Sequence, residues 1–400
     1  MTEALTQPFE AIPDACDVLV VGAGIMGLAT AYQLARMGAG RIVIVDRSYL
    51  CSGASGRNGG GVRAQWSSEI NIELMKRSLE LCDDFATEMG INVWLRRDGY
   101  LFVARNAERR AELERSVALQ RAHGLPTRMV GPAEIQAIVP QIDVRGIEAG
   151  SFNPDDAVVF PWPFVWGYAR ACRRLGVGLH PFVEAELEAT GGAMTGALLR
   201  SKRVESLGAE KRIRAPLVIL ATGAWSPEVA APLGVELPNR PHRHEICSTE
   251  PLKPFLGPLV ADLESGLYFS QSMRGEIVGG VSNARVPPGI DQRSSLRFLG
   301  LYAKALTRTM PILGSVRILR QWAGCYDLSP DGSPIIGRVD GLEGLILLCG
   351  FMGHGFMIAP IIGLLTARHL LKDEERGLFE RWSLGRFERG ELLHESMILG

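Results

Sequence analysis

The stretch DVLVVGAGIMGLATAYQLARMGAGRIVIVD (residues 17–46) decides the fold of this chain. It begins with a short apolar run, which predicts a buried parallel strand. Three glycines follow directly in the spacing G-x-G-x-x-G: Gly22, Gly24 and Gly27. In this pattern the first glycine permits a tight turn, the second lets a pyrophosphate approach the backbone, and the third lets the helix pack on the strand.

The remainder of the stretch completes a nucleotide-binding βαβ unit. The helix after the glycines begins with free N–H groups and the positive end of its dipole, both of which favour phosphate. A second strand at residues 42–45 leads into Asp46, whose carboxylate can accept a hydrogen bond from a ribose hydroxyl. Because every flanking element is present, the stretch predicts dinucleotide binding rather than a structural glycine turn.

The overall composition is that of an ordinary globular protein. Of 400 residues, 46% are hydrophobic and 22% are charged, and this length suggests two or three folding units. A formal net charge of −1 gives no bias toward nucleic acid or an anionic membrane. The arginine-rich run at residues 96–121 alternates with glutamate and alanine, which is typical of the solvated face of a helix.

The cysteines and the first residues favour a cytoplasmic protein. Seven scattered cysteines, none in C-x-x-C, are typical of reduced thiols. The first 17 residues are acidic and lack an apolar core, so we expect no secretory signal. No stretch approaches about 20 uninterrupted apolar residues, so we expect no membrane span.

Apolar periodicity predicts further elements along the chain. We expect helices at residues 69–89, 107–123, 131–138, 161–175, 293–309 and 358–371. We expect strands at residues 99–104, 177–183, 217–222, 266–270, 276–281, 335–337 and 345–348, and a ribbon of short strands at residues 189–214.

Two further glycine-bearing turns follow apolar strands. The sequence ATGAW at residues 221–225 is a small turn through which a cofactor can approach the backbone closely. The sequence GFMGHGFM at residues 350–357 lies between an apolar strand and an apolar helix, so its N–H groups can stabilise negative charge. Each turn alone is weak, but their order after the first motif indicates one shared cofactor site.

Taken together, these motifs resemble the D-amino-acid oxidase-like superfamily of FAD enzymes. This superfamily includes sarcosine oxidase, glycine oxidase and the β subunits of proline dehydrogenases, and the proline dehydrogenase β subunits are the nearest likeness. The matching segments run through the chain in the expected order: DVLVVGAGIMGLATAYQLA, SGRNGGGVR, ATGAW, YDLSPDGSPIIG and GFMGHGFMIAP, with the tail GRFERGEL. The resemblance implies bound FAD.

The resemblance also implies an α/β fold with two interleaved domains. A Rossmann-like FAD-binding domain is expected at residues 1–94, 151–232 and 325–400. A substrate-binding domain of mixed-sheet α+β type is expected at residues 95–150 and 233–324. The nucleotide-binding segments near the start, middle and end of the chain favour such interleaving over two consecutive domains.

The resemblance assigns cofactor-binding residues by matching the motifs. In the adenosine diphosphate site these are Gly22, Gly24, Ile25, Gly27, Asp46, Arg47 and Val183. The loop over the flavin corresponds to Ser55, Arg57, Asn58, Gly59 and Gly60. The second motif corresponds to Ala221, Thr222, Gly223 and Trp225, and the turn at the flavin edge to Gly353, His354, Gly355, Phe356 and Met357.

Four residues are assigned by the same resemblance to catalysis. Arg63 matches the arginine that binds the substrate carboxylate in sarcosine oxidases, and a bidentate arginine–carboxylate pair suits an amino-acid substrate. Tyr326 matches a pocket tyrosine, and Tyr268 and His354 complete the set. An ordinary surface arginine at position 63, and packing roles for Tyr326 and His354, are the alternatives.

Three departures from the sarcosine oxidase pattern bear on the chemistry. Gly324 stands where the cysteine-linked enzymes carry their flavin-bearing cysteine, and Cys325 is one residue away, so we expect non-covalent FAD. Met357 stands where those enzymes have a lysine that contacts the carboxylate. Ile277 lies near the expected place of their oxygen-activating lysine.

Two histidines in the sequence RPHRHE are the remaining candidates. His242 and His244 lack metal-ligand spacing with a cysteine or carboxylate cluster, so we expect no metal site. We expect both to be structural or to line the pocket, with an acid–base pair as the alternative.

The resemblance implies oxidation of a secondary or N-methyl α-amino acid, of the proline or sarcosine type, to the imine by hydride transfer to flavin N5. Two alternatives stay open, and a third is disfavoured. The first is oxidation of glycine or a D-amino acid, and the second is a flavoprotein subunit active only with a second flavoprotein or electron-acceptor subunit. A nicotinamide-dependent dehydrogenase is disfavoured, because the ATGAW and second glycine-rich motifs would have no role in it.

Overall fold

The computed structural model describes residues 12–206 and 208–398. The expected absence of an apolar leader falls largely on residues 1–11, outside the described residues. The described residues form these strands: β1 (Val18–Val21), β2 (Ile42–Asp46), β3 (Gly61–Val62), β4 (Tyr100–Ala104), β5 (Arg128–Val130), β6 (Ala149–Asn153), β7 (Ala157–Val158), β8 (Gly178–Pro181), β9 (Val183–Thr190), β10 (Ala193–Ser201), β11 (Glu210–Arg214), β12 (Leu217–Leu220), β13 (Arg240–Pro251), β14 (Leu259–Asp262), β15 (Leu267–Gln271), β16 (Glu276–Gly280), β17 (Ile318–Leu328), β18 (Ile335–Val339) and β19 (Leu342–Cys349).

The α-helices among the described residues are as follows: α1 (Ile25–Arg36), α2 (Glu69–Asp83), α3 (Phe85–Met89), α4 (Ala107–Ala122), α5 (Pro132–Ile138), α6 (Pro161–Arg174), α7 (Ser226–Ala230), α8 (Leu296–Thr309), α9 (Gly355–Lys372) and α10 (Arg376–Arg381).

The first of two large sheets contains the nucleotide-binding strands. Its order is β11-β10-β19-β12-β1-β2-β8, with β18 on β19 and β9 on β10. The five strands from β19 to β8 are parallel and nearly continuous in apolar residues, as expected of a sheet covered on both faces. Because these strands are parallel, the segments that follow β1, β2, β12 and β19 meet at one edge.

Helix α9 packs against α1 and α2 in the core beside this sheet. At Gly363 a Cβ atom would lie 2.7 Å from the Ala29 carbonyl carbon, so only glycine permits this close crossing. Within the described residues, α9 is the one helix whose length and hydropathy would suffice to cross a membrane. Its burial against neighbouring helices accounts for its apolar composition.

The second sheet is mixed and mostly antiparallel, in the order β17-β13-β16-β15-β14-β4-β6-β5. Side chains on its outer face, among them Phe269 and Ile277, form one apolar core with Phe298 and Tyr302 of α8. The opposite face carries residues of alternate position, such as Tyr268 and Tyr100, toward the first sheet. The predicted α/β class with a parallel nucleotide-binding sheet and a second mixed sheet is confirmed, and the exact domain boundaries stay a prediction.

Several predicted elements differ from the observed ones in their bounds. The helix expected at residues 69–89 is two helices, α2 and α3, with a break at Asp84. The strand expected at residues 177–183 ends at Pro181, because Phe182 adopts a left-handed φ of 62°, and a separate strand, β9, begins at Val183. The long strands β13 and β17 were not predicted, because polar residues interrupt their alternation.

Candidate active site

One cavity of about 520 Å³ lies where the three glycine-bearing motifs meet. Its wall includes every residue that the sequence assigned to the cofactor or to catalysis, with the exception of Gly27. The predicted set, drawn from distant parts of the chain, therefore forms one continuous surface.

The first glycine turn has no room for side chains. At Gly22, which has a φ of 107°, a Cβ atom would lie 2.4 Å from the Ala221 carbonyl oxygen. At Gly27 a Cβ atom would lie 2.1 Å from the Gly22 carbonyl oxygen, so Gly27 acts behind the cavity wall by allowing helix and strand to pack. Helix α1 begins at Ile25, whose N–H donates to the Ser55 hydroxyl at 3.0 Å.

Asp46 points back toward this turn. Its carboxylate accepts hydrogen bonds from the Ala23 N–H at 2.8 Å and the Ser48 N–H at 2.9 Å. Burial raises the pKa of Asp46 to about 6, although both hydrogen bonds act in the opposite direction. Beside it, the Arg47 guanidinium lies 4.7 Å from the centre of the Trp225 ring.

The loop at residues 54–60 is held in place by its own hydrogen bonds. The Asn58 carboxamide accepts from the Gly60 N–H at 2.8 Å and donates to the Ser55 carbonyl at 2.6 Å. The Arg57 guanidinium donates to the Ser52 and Ala323 carbonyls. The loop is thus a fixed wall of the cavity.

The third motif lies against a tyrosine of the second sheet. A Cβ atom at Gly353 would lie 2.9 Å from the Tyr326 ring, so glycine is required there. His354 precedes α9 and is 1% exposed, and neither of its ring nitrogens has a hydrogen-bond partner among the described residues. Burial lowers the pKa of His354 to about 4, so the ring is neutral at physiological pH.

Arg63 is a buried cation on the cavity wall. It is 3% exposed, and no carboxylate of the described residues lies within 4.0 Å of its guanidinium. The guanidinium donates to the Gln65 and Met397 carbonyls and lies 3.7 Å from the centre of the Trp66 ring. Burial lowers the pKa of Arg63, and Tyr100 and Glu395 partly oppose that effect.

Aromatic side chains from the second sheet form another part of the cavity wall. The His244 Nε2 atom lies 3.0 Å from the Tyr268 hydroxyl, and the His244 ring stacks on Tyr326 at 4.7 Å between centroids. Burial raises the pKa of both tyrosines above their ordinary value and lowers that of His244 to about 4. At neutral pH these three side chains are therefore uncharged.

Two residues that shape the site, Tyr100 on its wall and Asp156 behind it, were not predicted from the sequence, whereas a pocket-lining position was among those expected for His242 and His244. His244 and Tyr100 line the cavity, whereas His242 does not. Asp156, on the loop after β6, accepts hydrogen bonds from Ala64, Gln65 and Asn153 and so holds the segment that carries Arg63. Because successive residues of a strand alternate between its two faces, the alternation along β13 could have placed His244 on the inward face. No local signal in the sequence pointed to Tyr100 or Asp156.

Ile277, which the resemblance placed only near the expected position of the oxygen-activating lysine, does not itself face the site. Its side chain is fully buried in the core under α8 and does not line the cavity. Neighbouring residues of a strand face opposite sides of the sheet, so a shift of one position moves a side chain from the site to the core. Cys325 lines the cavity, but its thiol donates to the Asp291 carbonyl at 3.7 Å, and Gly324 faces Arg57 and Ala54.

The comparisons with known proteins agree with this geometry. The profile of the family described as "DAO: FAD dependent oxidoreductase" matches residues 17–369. The chain is 28% identical to sarcosine oxidase subunit beta of Rhodobacter capsulatus, over 96% of this chain and 91% of that protein. It is similar to the crystal structure of L-proline dehydrogenase from P. horikoshii, with a TM-score of 0.88 and 30% identity over 95% of this chain and 100% of that one.

A third likeness concerns the fold alone. The crystal structure of glycine oxidase from Geobacillus kaustophilus has a TM-score of 0.79 at 23% identity, over 89% of this chain and 94% of that one.

The side-chain-free turns at Gly22 and Gly353 and the helix N-terminus at Ile25 fit a bound dinucleotide, and the family profile spans most of the chain. This chain therefore belongs to the DAO family of FAD-dependent oxidoreductases, and its cofactor is FAD.

Proposed function

We propose that this protein oxidises a secondary or N-methyl α-amino acid, of the proline or sarcosine type, to the corresponding imine. The observation that carries the proposal is the buried guanidinium of Arg63, which faces the cavity without a carboxylate partner among the described residues. A buried charge is costly unless it is paired. A substrate carboxylate would supply the missing partner.

The guanidinium of Arg63 is already oriented before a substrate binds. Carbonyls of Gln65 and Met397 accept from its two terminal nitrogens, and the Trp66 ring lies against its face. These contacts leave three of the five N–H groups without a hydrogen bond to the described residues, enough for a bidentate pair with a carboxylate. The residue thus fixes one end of the substrate.

The uncharged aromatic wall favours a neutral amine. Tyr268 and Tyr326 remain protonated and His244 remains neutral near pH 7, so these three side chains offer no negative charge to stabilise an ammonium group. The substrate must therefore lose its amine proton to solvent before it reacts. A neutral nitrogen can then donate its lone pair as the α-hydrogen leaves with two electrons, which yields an iminium product.

When bound, FAD supplies the two-electron oxidant that accepts this hydride at N5. The residues of the chain hold and orient the two reactants. The backbone at Gly353–Gly355 and the N-terminus of α9 lie beside the cavity, and the loop at residues 54–60 covers it. Orientation of two bound reactants supplies a large part of the rate without a side-chain base.

Anaerobic stopped-flow mixing with a panel of amino acids tests this proposal. We expect L-proline or sarcosine to bleach the flavin absorbance within seconds, and glycine and D-alanine to do so more slowly or not at all. Fast bleaching by glycine or a D-amino acid alone would favour the primary-amine alternative. Bleaching by none of them would contradict an amino-acid substrate.

A second candidate is a flavoprotein subunit that needs an electron-acceptor subunit. Relatives named sarcosine oxidase subunit beta support it. So does a second cavity of about 320 Å³, whose rim exposes the apolar side chains of Trp94 and Met273 to solvent. If the purified chain turns over with an artificial dye, it needs no partner for catalysis; if only the flavin reduction step occurs, a partner is required.

A further inference from the structure

The segment at residues 391–398 contains neither helix nor strand, yet it crosses back to the site. Leu393 donates its N–H to Asp331 at 3.0 Å, and Asp331 in turn forms a buried ion pair with Arg386 at 2.9 Å. Further on, Met397 is 2% exposed and Ile398 lines the main cavity. This segment therefore forms part of the wall beside Arg63.

Glu395 fastens the segment to the start of α2. Its carboxylate accepts from the Ser67 N–H at 3.0 Å, the Ser68 hydroxyl at 2.9 Å and the Asn71 amide at 3.0 Å, and also from the Ser67 hydroxyl. The N–H of Met397 completes the set at 3.0 Å. Burial acts to raise the pKa of Glu395, but these hydrogen bonds outweigh it and lower the pKa overall.

The same segment supplies one of the two acceptors that orient Arg63. The Met397 carbonyl accepts from one terminal nitrogen of the guanidinium, and the Gln65 carbonyl accepts from the other. Because Met397 lies two residues after Glu395 and donates its own N–H to that carboxylate, release of Glu395 would displace the Met397 carbonyl. Arg63 would then keep its charge, but its guanidinium would lose one of the two hydrogen bonds that fix its orientation.

We propose that Glu395 is a positioning residue for the substrate site. It anchors residues 393–398 of this segment, so that the Met397 carbonyl holds the Arg63 guanidinium toward the substrate carboxylate. The proposal rests on the proposed function. It assigns Glu395 a role through anchoring rather than through the electrostatic effect of its charge on Arg63.

Two substitutions at Glu395 separate anchoring from charge. Glu395→Ala removes all the acceptors. Glu395→Gln removes the charge but keeps a carbonyl oxygen for Ser67 and Met397. Its amide can donate to the buried Asn71 Oδ1 atom, which has no hydrogen-bond partner among the described residues. Ser67→Ala removes two hydrogen bonds of the Ser67 hydroxyl, one to the Glu395 carboxylate and one from the Ser396 N–H. This variant replaces Glu395→Ala in the test if Glu395→Ala does not fold. Glu391→Ala, an exposed glutamate on the same segment, is the matched control.

The measurements use the FAD-loaded full chain. Cyclopentanecarboxylate is the probe, since it has the ring and carboxylate of proline but no oxidisable amine, and its Kd is read from the flavin spectrum. We expect Glu395→Ala to raise this Kd and the substrate KM roughly tenfold to a hundredfold, with faster amide hydrogen exchange at residues 393–398. Ser67→Ala should change them in the same direction, Glu395→Gln by less than about threefold, and Glu391→Ala not at all, with FAD content equal throughout.

Three outcomes would overturn the proposal. If Glu395→Gln raises Kd and KM as much as Glu395→Ala does, the effect comes from the charge of Glu395 and not from anchoring. Faster exchange with unchanged Kd and KM, or unchanged exchange in Glu395→Ala, would show that the segment does not position Arg63. If no amino acid reduces the wild-type flavin but the probe still binds more weakly to Glu395→Ala, the proposed function fails, whereas the part of this inference that concerns Glu395, Arg63 and carboxylate binding is retained.

Discussion

The sharpest test of the substrate site is the replacement of Arg63. Arg63→Ala removes a guanidinium that is 3% exposed and has no carboxylate partner among the described residues. If a substrate carboxylate pairs with it, loss of this largely desolvated charge pair should cost about 2–4 kcal/mol of transition-state binding. This range corresponds to a fall in kcat/KM of roughly 30-fold to 1,000-fold.

The same substitution should have little effect on folding stability. It removes two hydrogen bonds to the Gln65 and Met397 carbonyls and a contact with Trp66, each worth on the order of 1 kcal/mol. It also removes a buried charge whose desolvation costs several kcal/mol. Because these contributions oppose each other, we expect Tm to stay within a few degrees of the wild-type value.

The assay is steady-state turnover of the best substrate with a dye acceptor, beside FAD content and Tm. Arg63→Lys should recover only part of the activity, since an ammonium lacks the planar fork and the stacking face of guanidinium. Arg145→Ala, whose side chain is 88% exposed, is the matched control. A change in kcat/KM below threefold for Arg63→Ala, with FAD retained, would refute the role of Arg63.

Four further predictions concern the cofactor, the pH dependence and the electron acceptor. Gly27→Ala should abolish FAD binding, because its Cβ would lie 2.1 Å from the Gly22 carbonyl oxygen, whereas Gly131→Ala, with no atom within 4 Å, should not; absorbance at 450 nm of the purified proteins decides this. Acid precipitation should leave the flavin in the supernatant, because Gly324 offers no thiol; a yellow pellet would indicate a covalent link. The third prediction concerns pH: burial holds the pKa of His354 at about 4, against an ordinary 6.5, so the stabilising contribution present above pH 6.5 is lost as the pH falls toward 4. In urea unfolding, the wild type should therefore lose stability relative to His354→Asn between pH 6.5 and pH 4. A difference in stability that stays constant over this range would contradict burial of a neutral ring. Finally, no lysine lines the main cavity among the described residues, so stopped-flow mixing with air-saturated buffer should reoxidise the reduced enzyme more slowly than a dye does; reoxidation as fast as turnover would make it an oxidase.

The amino-acid sequence alone determined the nucleotide-binding half of this protein. A buried parallel strand, a turn without side chains and a helix N-terminus are local structures, and each is written in a few consecutive residues such as Val18–Val21 and the glycines that follow. The family resemblance supplied Arg63 and Tyr326 because their motifs are contiguous as well. Most residues of the cavity wall could therefore be predicted from the sequence alone.

Only the tertiary structure decided which side chains of the second sheet reach the site and what surrounds Arg63. Along a strand, consecutive residues face opposite sides, so a local pattern could not tell that Ile277 lies in the core while Tyr100 lines the cavity. The contacts of Arg63 with Met397 and of Glu395 with Ser67 join residues more than 300 positions apart. Such contacts carry no local sequence signal, because they arise only when the folded chain brings its carboxy-terminal segment back across the sheet.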